Sequence, residues 1–99
     1  MKFGELQGKY FPLGHLVFTA SVNDRIADDL GFAAFCIRSL KRHINKDWGD
    51  MDAEDKRENE FSIDKPLRIF SSYNYGEDKI WIITEADRSA TTILLPSDY

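Results

Sequence analysis

Residues 79–96 have the sequence KIWIITEADRSATTILLP, and they carry the clearest signal of secondary structure in the chain. Two apolar segments, 80–83 and 93–95, lie on either side of a polar connection, as buried strands lie on either side of a hairpin loop. Pro96 lacks the N–H that a ladder hydrogen bond needs, so the second strand is predicted to end there. This stretch therefore predicts an antiparallel pair of strands.

Two further strands are predicted upstream of this pair. Residues 67–73 alternate partly between apolar and polar side chains, and the connection 74–78 has the length of a hairpin loop and contains a glycine. Residues 13–20 are rich in strand-forming residues and short enough for a single strand. Together these segments predict four strands, of which the last three are consecutive in the chain.

Helices are predicted between the first and second strands. After Asn23, a predicted N-cap, apolar residues recur at helical spacing to about residue 45, with Gly31 as a predicted break. We expect this stripe to face the core, and it comprises Ile26, Leu30, Ala33, Ile37, Leu40 and Ile44. Asp52 is predicted to cap a second, more polar helix over residues 53–62.

The predicted fold class is α+β. We expect a single small domain with an antiparallel sheet of about four strands and two to three helices packed on one face, in the order β-α-α-β-β-β. Ninety-nine residues suit one domain and not two. We assign residues 13–99 to this domain and residues 1–12 to a flexible N-terminal arm, since chain termini are often poorly ordered.

Composition limits the classes of function. The net charge of −4 and the pI of about 5.1 argue against direct nucleic-acid binding. The single cysteine, Cys36, excludes an intramolecular disulfide, and we expect it to be a small buried hydrophobe. The chain shows no signal-peptide pattern and no apolar run of membrane length, which predicts a cytoplasmic protein without a membrane partner. No motif predicts a cofactor or a metal site.

The charges are placed unevenly along the chain. Basic residues are concentrated in 38–46 and acidic residues in 47–60. Helix dipoles explain this order, because cations are favourable at a helix C-terminus and acids at the next N-terminus. On this explanation His43 is a partner of the helix dipole. The alternative is an acidic face that mimics nucleic acid or docks on a basic partner.

Two polar segments contain candidate binding residues. One segment is the turn at 45–52, and the other is the connection at 84–92 between the last two predicted strands. The candidate binding residues are Trp48, Asp50, Glu85, Asp87, Arg88 and Ser89. No catalytic residue is assigned, because the chain lacks a Gly-x-Ser-x-Gly elbow, a phosphate-binding glycine loop and a Cys-x-x-Cys motif.

The same residues also have a purely structural explanation. Asp87 and Ser89 would hydrogen-bond the backbone of a turn, and Arg88 would pair with Glu85 or Asp87. Trp48 would cover an edge of the core, with its indole N–H bonded to a carbonyl or to water. The residue types alone do not separate a binding site from an ordinary polar turn.

Two aromatic residues lie off the predicted helical stripe. Phe32 and Phe35 would leave the helix apolar on a second side, and natural monomers seldom expose large apolar patches. They are therefore candidate interface residues, covered either by a second break in the helix or by a partner. A homo-oligomer is left open.

Three strings in the chain resemble a family of small bacterial proteins associated with plasmids and other mobile elements. They are KDWGD at 46–50, EDKRENE at 54–60 and the stretch at 79–96, and the resemblance covers roughly residues 13–99. Some members of this family are labelled as type I restriction–modification methylation subunits. This chain lacks the Asn-Pro-Pro-aromatic tetrapeptide and the glycine-rich cofactor loop of a methyltransferase. The resemblance supplies the context of a mobile-element accessory gene, and no activity.

Two hypotheses for the function follow. The first is a small non-enzymatic accessory protein that binds another protein, such as a component of host defence or restriction. The second is a small hydrolase or ligand-binding protein that acts on a phosphorylated or nucleotide substrate through residues 85–89. Convergence of the candidate binding residues on one concave pocket would favour the second hypothesis.

Overall fold

Four strands and three helices form the domain in the computed structural model, which describes residues 8–99. In chain order they are β1 (His15–Phe18), α1 (Ala20–Asp28), α2 (Leu30–Ile44), α3 (Ala53–Ser62), β2 (Ile69–Tyr75), β3 (Asp78–Thr84) and β4 (Ala90–Leu94), followed by a short 3₁₀ helix (Pro96–Asp98). The α+β class is confirmed, as is the predicted order of elements with one additional helix.

The sheet is mixed, whereas the sequence predicted an antiparallel one. Its strand order is β1-β4-β3-β2. The β2–β3 and β3–β4 pairs are antiparallel, but β1 runs parallel to β4, with His15 opposite Ala90 and Phe18 opposite Ile93. The three helices between β1 and β2 make this possible, because a long connection can return the chain in any direction, whereas a tight turn forces an antiparallel pair.

Side-chain caps determine where the helices begin. The Thr19 hydroxyl accepts a hydrogen bond from the backbone N–H of Val22, so the N-cap of α1 lies four residues before the predicted cap at Asn23. Asp29 breaks the helical segment with extended backbone and caps α2. Asp52 caps α3 as predicted, and the bounds of that helix agree with the sequence.

The break at Asp29 changes which face of α2 is buried. Leu30 belongs to the predicted stripe but is 87% exposed. Phe32 and Phe35 are only 0% and 5% exposed and join the main core cluster, so they do not form an exposed interface. The predicted stripe assumed one continuous helix through residues 24–45. Because the backbone breaks at Asp29, α2 is rotated relative to that continuous helix, and a different set of its residues faces the core. The fully buried side chains of α2 also include Cys36, Leu40 and His43.

Helices α1 and α2 cover one face of the sheet, and α3 lies along the edge of β2. The segment before β1 is anchored within the described residues, because Phe11 is buried and packs with Trp48 and Ile69. This corrects the predicted arm for residues 8–12, while residues 1–7 lie outside the described part of the chain. Among residues 8–99, no helix is long and apolar enough to cross a membrane.

Candidate functional site

The β3–β4 connection is a hydrogen-bonded turn. The backbone N–H of Arg88 donates to the Glu85 carbonyl at 2.9 Å, and the backbone N–H of Ser89 donates to a carboxylate oxygen of Asp87 at 3.0 Å. The hydrogen bonds from Ser89 lower the pKa of Asp87 below its usual value. Asp87 and Ser89 therefore make the backbone contacts that a polar turn requires.

Arg88 does not form the ion pair with the carboxylate of Glu85 or Asp87 that the structural explanation expected. Its guanidinium donates to six backbone carbonyl oxygens, at distances between 2.6 and 3.3 Å. The acceptors are Ser62, Ile63, Lys65, Leu67, Glu85 and Ala86. Several of them belong to the C-terminal end of α3 and the residues just after it, where helix carbonyls lack intrahelical partners. Arg88 thus ties the turn to the end of α3.

This arrangement bears on the hydrolase hypothesis. Both terminal nitrogens of Arg88 are engaged with carbonyls, so the forked pair of donors that would bind a phosphate is already in use. Glu85 pairs instead with Arg68, at 3.5 Å. The turn therefore offers a phosphorylated substrate no free guanidinium fork.

The turn at 45–52 lies along the outer edge of β2. Trp48 is 3% exposed, and its indole N–H donates to the Glu60 carboxylate at 2.8 Å rather than to a carbonyl or water. A carboxylate oxygen of Asp50 accepts the backbone N–H of Asn74 at 2.9 Å. Gly49 has a φ of +79°, and a Cβ placed on it would lie 2.1 Å from the Ser72 carbonyl oxygen, so only glycine fits this close approach.

The candidate binding residues do not gather in one pocket. Asp50 bonds to Asn74, whereas the turn at 85–89 follows Thr84, which lies opposite Ile69. Asn74 and Ile69 are five residues apart on β2, about 17 Å at the rise of a strand. The side chain of Trp48 is buried, so it lines no open site.

A different group of residues forms a concave surface, which we call the α3 cleft. It lies between α3 and β2 and has a volume of about 350 Å³. Its lining includes Asp55, Glu58, Asn59, Ser62, Arg68 and Phe70. None of the candidate binding residues lines it. Asn59 holds the cleft together, because its side chain bonds both the N–H and the carbonyl of Phe70.

Beside the cleft, the sheet face opposite α1 and α2 carries three aromatic rings. We call Phe70, Trp81 and Tyr99 the aromatic face. The ring centroids of Phe70 and Trp81 are 5.0 Å apart, and those of Trp81 and Tyr99 are 5.6 Å apart in an edge-to-face arrangement. Tyr99 is 73% exposed. Phe70 belongs to both surfaces, so the α3 cleft opens directly onto the aromatic face.

Charges of both signs border the cleft. The carboxylates of Asp55 and Glu58 are exposed on α3. Arg68 donates to the Tyr99 hydroxyl at 3.0 Å, and this hydrogen bond raises the pKa of Arg68 above its usual value. The cleft therefore combines two exposed carboxylates, a guanidinium held by Tyr99 and one aromatic side chain, that of Phe70. The sequence carried no signal for it, because these residues are separated in the chain and follow no motif.

A second polar group lies inside the core, around His43. The ring Nδ1 of His43 is hydrogen-bonded to the Ser71 hydroxyl, and the ring Nε2 lies 3.0 Å from the Thr84 hydroxyl. The Thr84 and Thr91 hydroxyls are 2.8 Å apart, and Thr91 donates to the Leu13 carbonyl at 2.8 Å. Burial lowers the pKa of His43 to about 3, so the ring is neutral. The expected role as a helix-dipole partner is wrong.

The direction of this hydrogen-bond chain follows from its fixed end. Because Thr91 gives its proton to Leu13, its oxygen must accept from Thr84. Thr84 must then accept from the Nε2–H of His43, and the Nδ1 of His43 accepts from Ser71. The arrangement resembles a serine–histidine pair, but Ser71 is 0% exposed and no substrate reaches it. Its role is structural, since it links α2 to three strands.

No family model, curated protein or solved structure matches this chain significantly, so the resemblance drawn from its motifs stays a prediction. Within residues 8–99, no group of three or more His, Cys, Asp or Glu side chains is placed to hold a metal ion. The α3 cleft and the aromatic face are the surfaces of this chain that bear on its function.

Proposed function

We propose that this chain is a non-enzymatic, cytoplasmic accessory protein that binds another protein through the α3 cleft and the aromatic face. The observation that carries the proposal is the cleft itself, where Asp55 and Glu58 line the same concave surface as the aromatic ring of Phe70. Carboxylates attract a cation, and an aromatic ring accepts the cation or its methylene stem on its face. A lysine or arginine side chain of a partner protein has both properties.

The surroundings of the cleft extend this binding surface. Trp81 packs against Phe70 and Tyr99 packs against Trp81, and aromatic residues are enriched at protein interfaces. The acidic balance of the chain opposes binding to a nucleic-acid backbone and favours a basic partner. The resemblance to mobile-element proteins is the reason that we propose a component of host defence or restriction as this partner.

The test uses two charge reversals on the same helix. Glu58 lines the cleft and Glu54 does not, yet both are exposed on α3. Glu58→Lys should reduce recovery of the partner from a lysate of the native host by at least tenfold, whereas Glu54→Lys should retain it. Proteins recovered by each variant are quantified by mass spectrometry, and thermal unfolding checks that all three proteins are folded.

Recovery of the partner by the wild-type protein at increasing salt concentration is a second measurement. Binding through exposed charges weakens as ionic strength rises, because the screening length falls to about 3 Å at 1 M salt.

Equal recovery of the partner by wild type and by Glu58→Lys would refute a role for the cleft. Recovery of no specific protein by wild type would refute the proposed function as a whole.

A further inference from the structure

The two edge strands of the sheet, β2 and β1, differ in whether their outward-pointing backbone groups are hydrogen-bonded. At the β2 edge, the backbone groups of Ser72 bond to Trp48 and Asp50, and the N–H of Asn74 bonds to the Asp50 carboxylate. The side chain of Asn59 covers both backbone groups of Phe70, as described above. Every second residue of this edge, from 70 to 74, is therefore occupied, and no further strand can pair there.

The β1 edge is open within residues 8–99. The N–H of His15 donates to the carbonyl of Ser89, just before β4, at 2.9 Å, and the N–H of Thr19 donates to the carbonyl of Ile93 in β4 at 3.2 Å. Because backbone groups alternate in direction along a strand, those of Leu16 and Phe18 point away from β4. No described backbone or side-chain group bonds to them. Two N–H groups and two carbonyls are thus left at an edge to which another extended strand can pair.

The side chains of β1 add a second feature. Leu16 and Phe18 pack against the core cluster under α1 and α2. Val17 points to the opposite face and is 41% exposed, midway between the two residues with open backbone groups. The strand also lacks the lysine, acidic residue or proline that natural proteins place on edge strands to prevent pairing.

We propose that β1 pairs antiparallel with β1 of a second copy of this chain, about a two-fold axis at Val17. Leu16 then lies opposite Phe18 of the second copy, and each such pair exchanges two backbone hydrogen bonds. Val17 meets Val17 of the second copy as a non-hydrogen-bonded pair, with Cα atoms about 4.5 Å apart. The contact is isologous, because the open groups are arranged symmetrically about one residue.

This symmetry is the reason for choosing a second copy over an unrelated peptide. The open backbone groups and the exposed Val17 complement themselves without any further residue. The assembly also stops at two copies, since pairing consumes the β1 edge and the β2 edge is already occupied. The product is an eight-stranded sheet with both α3 clefts at its outer ends and both aromatic faces on one side. The proposal does not depend on the proposed function, which uses other residues.

Solution mass tests the association. Light scattering across a dilution series should give about twice the 11.4 kDa of one chain at high concentration. Val17→Glu places two like charges opposite each other and should give the mass of one chain at every concentration. Leu30→Glu is the control and should leave the dimer intact. Leu30 is exposed and lies far from β1, beside the β2–β3 hairpin, because the neighbouring Gly31 lies close to Tyr75. A wild-type protein that stays monomeric throughout overturns the proposal.

Cross-linking tests the register and does not require a tight dimer. Val17→Cys should form an intermolecular disulfide under oxygen and copper phenanthroline, because bridged Cα atoms lie about 4.4–6.8 Å apart. His15→Cys should not, since the two copies of residue 15 lie about 14 Å apart along the strand in this register. Cys36 does not compete, because it is buried and burial raises the pKa of its thiol to about 11. A disulfide with His15→Cys and none with Val17→Cys overturns the register.

Discussion

Acidification is expected to destabilise this protein through one buried histidine. His43 is fully buried, and burial lowers its pKa from 6.5 to about 3. In the unfolded chain the imidazole lies in water and binds a proton near pH 6.5. Between these two pKa values the unfolded state holds a proton that the folded state lacks. The free energy of unfolding therefore falls as the pH falls through this window.

The size of the effect follows from the same two pKa values. Below pH 6.5 the slope is about 1.4 kcal/mol per pH unit, so stability should fall by about 2 kcal/mol between pH 7.5 and pH 5.0. Hydrogen bonds from Arg42 and Arg25 lower the pKa values of Asp47 and Asp78. Their contribution is present above the unfolded carboxyl pKa and is lost only below about pH 4. The window from pH 6.5 to pH 5.0 therefore isolates His43.

Urea unfolding at a series of pH values measures this loss. His43→Gln keeps an amide N–H donor and a carbonyl acceptor but cannot titrate, so its stability should be lower at pH 7.5 and nearly constant down to pH 5.0. His15→Gln is the control, because His15 is exposed on β1, and it should keep the wild-type slope. A wild-type stability that is as independent of pH as that of His43→Gln would refute the argument from burial.

Three further substitutions test other parts of the structure, each by thermal or urea unfolding. Arg88→Lys keeps the charge but cannot span six carbonyls, so it should cost about 2 kcal/mol or more, since hydrogen bonds to charged groups are worth about 1.5–3 kcal/mol each; a loss below about 0.5 kcal/mol would reject this role. Leu40→Ala should cost about 2–5 kcal/mol, because Leu40 is fully buried between α2 and the sheet, and no measurable loss would contradict that packing. Gly49→Ala should cost about 1 kcal/mol or more, because alanine at positive φ is strained and its Cβ would collide with the Ser72 carbonyl. Equal stability of the two proteins would show that Gly49 does not approach Ser72 this closely.

The β2–β3–β4 meander and α3 were predictable because their signals are local. Apolar runs and tight turns marked the strands, and Asp52 marked the start of α3, since a cap and its helix are neighbours in the chain. The buried face of α2 was less predictable. The helical period continues through Asp29 in the sequence, but the backbone does not, and this break placed Phe32 inside and Leu30 outside.

The candidate site depended on contacts between distant parts of the chain, and no local pattern specifies such contacts. Asn59 reaches Phe70, and Arg68 reaches Tyr99, only after α3 has docked on the edge of β2. The charge of Arg88 is visible in the sequence, but its carbonyl partners are set by where α3 ends. By itself the sequence determined which segments form strands and helices, because those preferences are local. Tertiary structure alone decided the parallel pairing of β1, the α3 cleft and the buried His43 chain, because each needs residues that only folding brings together.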